Sequence, residues 1–320
     1  MPGFKDVFGT LKSAAKDFGD DSGTSMAAAI SYYTVFSLPP LLGLILLIAG
    51  LVVDPQTVRD MIQGEFAGMI GQDASSAIGT MLQNSKQPGS GGPLAGMLGT
   101  LALLFGAAGA FSALQNALNR AWEVAPDPNA GGIRNLITKR IFSFGMVLGI
   151  AFLLMVSLAA SAALQAFGGM IGGFLPGGAD TVFAEILNTV ISLVVFSLLF
   201  SAMFKVIPDA EISWRDVRVG GIATAVLFTL GKFAIGLYLG RSDPGSAFGA
   251  AGSLAVILVW VYYSAIILIF GAEFTQAWAT HFGKGIRPEK GAVRMVERTE
   301  PARGPGAKGE PAEKGKRKRR

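Results

Sequence analysis

The chain has 320 residues, 51% of them hydrophobic and only 15% charged, with a mean hydropathy of +0.49. Soluble domains carry about 25% charged residues, and a soluble core of this size does not hide so much apolar surface, so a water-soluble globule is excluded. Cysteine is absent, which excludes disulfides, thiolate metal sites and a cysteine nucleophile, and much of the net charge of +5 comes from a basic C-terminal tail.

Residues 1–22 carry Phe4, Val7, Phe8, Leu11, Ala15 and Phe18 at helical spacing, with Lys5, Lys12 and Lys16 elsewhere on the wheel. The pattern predicts an amphipathic helix. It either lies in the membrane interface with its lysines near anionic headgroups or packs on the protein's own surface. Residues 23–282 read as a membrane domain with six apolar runs, over 27–53, 93–114, 141–167, 181–207, 219–239 and 246–274. Each reaches the roughly 20 residues that cross a hydrocarbon core about 30 Å thick, and in lipid such a run satisfies its backbone as a helix. The first run is too long for the apolar stretch of a cleavable signal. It holds Pro39 and Pro40, which together remove two backbone donors and predict a helix break or kink.

Between the first two runs, Val58, Met61, Ile62, Phe66, Met69 and Ile70 predict a short amphipathic helix. Ile78, Met81 and Leu82 predict another, ahead of a flexible linker over Gln87–Gly92. The pairs Gly145/Gly149, Gly236/Gly240 and Gly245/Gly249 suit close helix packing. Residues 283–320 turn to Pro, Gly, Glu, Lys and Arg, which predicts a disordered basic tail attracted to anionic headgroups, with no specific nucleic-acid partner. Arg59, Lys86 and Arg241 fall on one side of the spans and Lys232 inside one; every other Lys and Arg falls on the opposite side, so both termini are expected in the cytoplasm.

A charge at mid-bilayer costs about 2.5–3.5 kcal/mol on insertion scales, so one that persists points to a partner or to water. Depth along the spans sorts the candidates into two groups. Lys232 of the fifth span, Glu185 and Asn188 of the fourth and Gln165 of the third reach similar outer depths, with Lys232 and Glu185 as the expected pair. Tyr32 and Tyr33 at the inner end of the first span, Asn116 and Asn119 of the second and Glu273 of the sixth form a second, inner group. Two polar clusters and a broken first helix suit a cavity that moves a polar or amphipathic molecule. They suit equally a membrane scaffold with satisfied buried polar groups.

The sequence holds no G-x-x-x-x-G-K-[ST] phosphate loop, no H-E-x-x-H and no G-x-S-x-G elbow. His281 stands alone just past the sixth run. No enzymatic activity, cofactor or metal is therefore expected.

The stretch Ala27–Leu42, with Ser31-Tyr-Tyr-Thr34 and Pro39-Pro40, resembles the opening of the YihY/BrkB family of bacterial inner-membrane proteins. Ala117-Leu-Asn-Arg-Ala-Trp122, Pro208 with Trp214-Arg-Asp216 and Gly220-Gly221, Phe248–Gly252, Trp260-Val-Tyr262 and Gly271-Ala-Glu273 are similar to later parts of it, in the same order. The match covers roughly residues 20–282 and departs at Ala121 and Ala247, where bulkier or aromatic residues are usual. The resemblance implies a multi-pass protein of the bacterial inner membrane and a link to envelope lipid transport. It singles out Tyr32, Tyr33, Pro39, Asn119, Trp122, Trp260 and Glu273 without assigning them roles. Family members have been labelled ribonuclease BN, a label for which these residues supply no catalytic set.

The expected fold is thus an all-α membrane protein: a six-transmembrane-helix bundle with an N-terminal amphipathic helix and a disordered basic tail. The leading expectation for function is transport or translocation of a lipid or other amphipathic envelope component. The alternative is a non-transporting scaffold for envelope partner proteins, and a membrane-bound ribonuclease ranks last.

Overall fold

The computed structural model describes residues 3–50, 53–70, 72–84, 109–128, 179–242 and 252–295. The elements in chain order are α1 (Phe4–Asp20), α2 (Gly23–Ala49), α3 (Pro55–Ile70), α4 (Gln72–Asn84) and a helical segment over 109–121, here α5. They continue as β1 (Val124–Pro126), α6 (Ala179–Val206), β2 (Ala210–Glu211), α7 (Trp214–Ser242), α8 (Gly252–His281), β3 (Arg287–Pro288) and β4 (Ala292–Arg294). The third expected span, most of the second, the Gln87–Gly92 linker and the pairs Gly145/Gly149 and Gly245/Gly249 lie outside the described residues.

Among the described residues three helices are long and apolar enough to cross a membrane: α6, α7 and α8. Their outward sides repeat large apolar residues at helical spacing, Val190, Val194 and Leu198 on α6 and Ile222, Val226, Leu230, Phe233 and Leu237 on α7. Such stripes are costly in water and neutral in lipid.

Two spans differ from the apolar runs that announced them. Helix α7 starts at Trp214, ahead of its run, because Ser213 and Asp216 cap it. The Ser213 hydroxyl accepts from the Asp216 N–H (3.2 Å) and donates to the Asp216 carboxylate (2.8 Å). Helix α8 continues past residue 274 to His281, and Thr275, Ala277 and Ala279 are buried in the extra turns. The break expected at Pro39 and Pro40 is corrected: both lie inside α2, which runs from Gly23 to Ala49 as one helix. Val35, Leu38 and Leu42 flank the prolines and pack with Ile257 and Trp260 of α8.

The bundle is locked at a crossing of α7 and α8. A Cβ at Gly220 would collide with Thr275, and one at Gly271 would collide with Thr224. Each threonine hydroxyl donates to the carbonyl of the glycine one turn before it, Thr224 to Gly220 (2.7 Å) and Thr275 to Gly271 (2.6 Å). The neighbouring Gly221 presses α7 onto Ser197 and Ser201 of α6. Phe228 of α7 touches both Phe196 (5.0 Å) and Phe200 (5.7 Å) of α6 and continues to Trp260 of α8 (5.8 Å). By contrast, among the described residues nothing lies within 4 Å of where a Cβ at Gly236 would stand, so this member of the expected small-residue pairs marks no close crossing with them.

The two ends of the bundle differ. At one, the hairpin α3–α4 packs Val58, Ile62, Ile78 and Leu82 against α2, Ile235 of α7 and Trp260 of α8. Asp54 starts α3 by accepting from the Gln56 and Thr57 N–H groups (2.9 and 3.2 Å), with Pro55 as first helical residue. Ser75 of α4 donates to the Gln63 carbonyl of α3 (2.7 Å). At the other end, β4 pairs antiparallel with β1 and β3 with β2. The segment after α8 therefore straps the ends of α5, α6 and α7 together. This corrects the tail expected to be disordered from residue 283: chain as far as Met295 is ordered, because β1 and β2 offer it backbone partners that its own composition does not reveal.

Candidate functional site at the strand end

Polar side chains converge where the strap crosses the bundle. Asn119 sits on the last turn of α5 and meets Asp209, just past α6, twice. Its amide donates to the Asp209 carboxylate (2.9 Å), and its carbonyl accepts from the Asp209 N–H (2.8 Å). Gln115, one turn earlier, donates to the Ile207 carbonyl (3.3 Å), and the Asp209 carbonyl accepts from the Glu289 N–H of the strap (3.0 Å). Glu123 turns the chain out of α5 with a left-handed φ of 52° and pairs with Arg294 of β4 (3.0 Å). Trp122 is buried beneath this turn, edge-on to Phe204 of α6 (5.8 Å).

Beside this lattice a cavity of about 520 Å³ opens between α2 and α5. Tyr33, Ser112, Asn116, Asn119 and Arg120 give it polar groups, while Met26, Ala113, Pro126 and Met295 give it apolar walls. Close approach at Gly109, where a Cβ would strike the Tyr33 ring, fixes the tyrosine at its mouth. The Arg120 guanidinium lies 3.4 Å from the Asp21 carboxylate at the α1–α2 turn. The lining thus offers a cation, amide and hydroxyl donors and an apolar wall, the chemistry that receives a molecule with a polar head and an apolar body.

Glu273 of α8 stands close by. Its side chain is 1% exposed, and Oε1 has no hydrogen-bond partner among the described residues. The charges whose fields reach it are Asp21, Asp17 and Glu123, opposed by Arg120. It lies about two turns before the end of α8 rather than at a span terminus. On α1, burial pushes the Asp17 carboxyl above its ordinary range, with Asp20 and Glu123 adding to the shift and Lys16 and His281 opposing it.

The residues expected from the sequence divide as follows. Tyr33, Asn116 and Asn119 line one cavity, with Glu273 in the adjoining acidic cluster. Tyr32 does not line it; its ring meets Tyr33 edge-on (5.5 Å) and Phe36 at a tilt (4.8 Å) on an exposed side of α2. Of the outer group, Gln165 and the side chains of Glu185 and Asn188 lie outside what is described, and Lys232 is half-buried on α7. Sequence reasoning missed Arg120, Asp209, Asp17 and Asp21 as members of the inner group. Arg120 adjoins Asn119 in the chain, and that adjacency was the signal that could have found it.

The profile of the family described as Virulence factor BrkB matches residues 14–295. A UPF0761 membrane protein of Rhodospirillum centenum is 27% identical over 86% of this chain and 59% of its own length. A UPF0761 membrane protein of Pseudomonas aeruginosa is 28% identical over 84% and 62%, and one of Ralstonia nicotianae 26% over 81% and 56%. The chain therefore spans about three-fifths of the length of these relatives. No solved structure matches it. With three apolar helices of spanning length and a profile match across most of its residues, the chain belongs to the BrkB (YihY) family of integral membrane proteins.

Proposed function

We propose that this protein moves a lipid or another amphipathic envelope component within the bacterial inner membrane, as a six-span bundle with both termini in the cytoplasm. The observation that carries this reading is the mixed cavity at the strand end, with Arg120 in its lining and, beside it, the buried Glu273, whose Oε1 has no hydrogen-bond partner among the described residues. A buried carboxylate at a helix crossing near one leaflet is costly to keep without a task. Arg120 and the amides would receive a polar or anionic head while Met26 and Met295 contact the apolar part. The excess of Lys and Arg at the strand end supports placing it in the cytoplasm, with the basic residues beyond Met295 near anionic headgroups.

The test is the lipid composition of each leaflet in a deletion strain complemented with variants. Arg120→Ala and Glu273→Ala are expected to fail to restore the wild-type distribution at undiminished protein level, and Lys232→Ala tests the outer group in the same way. Loss of protein in step with loss of effect would assign these residues to structure instead.

A scaffold role is the second reading, and the closed Asn119–Asp209 pair favours it, because both groups there are already satisfied. It expects co-purifying envelope proteins and tolerance of Glu273→Leu. Neither reading includes catalysis; RNA cleavage by highly purified protein, lost on replacing an acidic residue, would supplant both with a nuclease.

A further inference from the structure

Helix α1 has three distinct sides. At 100° per residue, Thr10 and Ala14 fall on one arc and are fully buried, with Asp17 and Phe18 half-buried at its margins. The next arc holds Phe8, Leu11 and Ala15, and all three are exposed, Phe8 to 64%. Lys5, Lys12 and Lys16 border that open apolar arc, Lys16 paired with Asp20 (2.7 Å), and Gly9 and the exposed Asp6 lie beyond them. An apolar edge left open beside a row of lysines is not what docking on the protein alone would produce.

The place where α1 docks supplies the second observation. Phe18 meets Phe270 of α8 edge-on at 6.2 Å. Phe270 also lines an apolar groove between α7 and α8, together with Leu230, Tyr263 and Ile267. Leu230 belongs to the outward apolar stripe of α7. One end of α1 thus touches the surface that the spans turn to lipid, and its free arc continues that surface.

We infer that α1 is an interfacial helix that docks on α8 by one arc and seats Phe8 and Leu11 in an anionic leaflet by the next, with Lys5 and Lys12 on the headgroups. Apolar insertion and lysine attraction are both required: single lysines contribute little, and together they select anionic over zwitterionic surfaces. The inference depends on the spans lying in a bilayer and holds whether or not the cavity passes a substrate.

The absence of cysteine makes the test clean. An environment-sensitive dye is placed at Phe8→Cys and, as control, at Gly9→Cys, where an added side chain meets nothing within 4 Å. Full-length protein is held in nanodiscs of phosphatidylcholine with or without phosphatidylglycerol. In the anionic discs brominated acyl chains are expected to quench the residue 8 dye roughly threefold more than the residue 9 dye, with aqueous iodide showing the reverse order. Lys5→Glu with Lys12→Glu is expected to restore iodide access at residue 8, and Leu11→Cys to repeat the result one turn along. Equal iodide access at residues 8 and 9 in anionic discs overturns the inference. So does bromine quenching that is unchanged by the lysine substitutions and by lipid charge. Excimers between pyrenes at Phe8→Cys on two copies would assign the edge to self-association instead.

Discussion

At the residue scale the crossing of α7 and α8 rests on four residues, Gly220, Thr224, Gly271 and Thr275, each threonine covering the opposite glycine. Gly271→Val forces β-branched bulk against Thr224, and overpacking of this kind costs about 1–3 kcal/mol. Thermal unfolding in detergent is expected to fall accordingly, while Gly236→Val, at an open site, leaves it unchanged. Asp17 supplies a pH-dependent test. Its carboxyl is raised by burial, so the folded state binds its proton more tightly than the unfolded chain does. The stability it contributes is full below the ordinary carboxylate range and is lost as pH rises through the raised value. Asp17→Asn is therefore expected to stabilise the docked α1 at neutral pH and to change nothing in acid, read from hydrogen exchange of α1 across pH.

At the element scale the strap after α8 makes the inner end a single unit. The Met295 N–H donates to Glu123 (2.8 Å), the Asp127 N–H to Gly291 (2.9 Å) and the Glu289 N–H to Asp209 (3.0 Å). Truncation after Lys290 removes β4 and its partners, and amides over 124–127 are expected to lose exchange protection while those of α7 keep theirs. Asn119→Ala removes the side-chain acceptor of the Asp209 N–H and one donor to the Asp209 carboxylate, which keeps the Gln115 amide (3.5 Å), at about 1–3 kcal/mol. Which of these elements the sequence announced follows from physics. Helices α1, α3 and α4 are amphipathic, and the spacing of Val58 and Ile62 or Ile78 and Leu82 writes the helix directly. Helices α6, α7 and α8 are long apolar runs, legible by length, with ends shifted by a cap at Ser213 and by buried residues in the last turns of α8. Strands of two or three residues have no period to read, so β1–β4 were invisible. The inner cluster was half legible: Tyr33, Asn116, Asn119 and Glu273 follow from depth along separate spans. Asp17, Asp21 and Asp209 enter from a surface helix and from turns, where depth along a span says nothing.

At the scale of the whole molecule, asymmetry joins these parts. The α3–α4 hairpin covers one end, the strap, the mixed cavity and α1 gather at the other, and the apolar stripes of α6 and α7 lie between. Such a body fits a bilayer in two orientations, and the proposed one puts the strand end, with its excess of Lys and Arg, in the cytoplasm. The direct measurement is labelling of single cysteines in intact cells with a membrane-impermeant maleimide. The positions are Met61→Cys on the exposed side of α3 and Glu211→Cys on β2. Labelling of residue 61 in cells with a permeabilised outer envelope, and of residue 211 only after the inner membrane is opened, is the expected result. Labelling of both from the same side would contradict the spanning bundle itself.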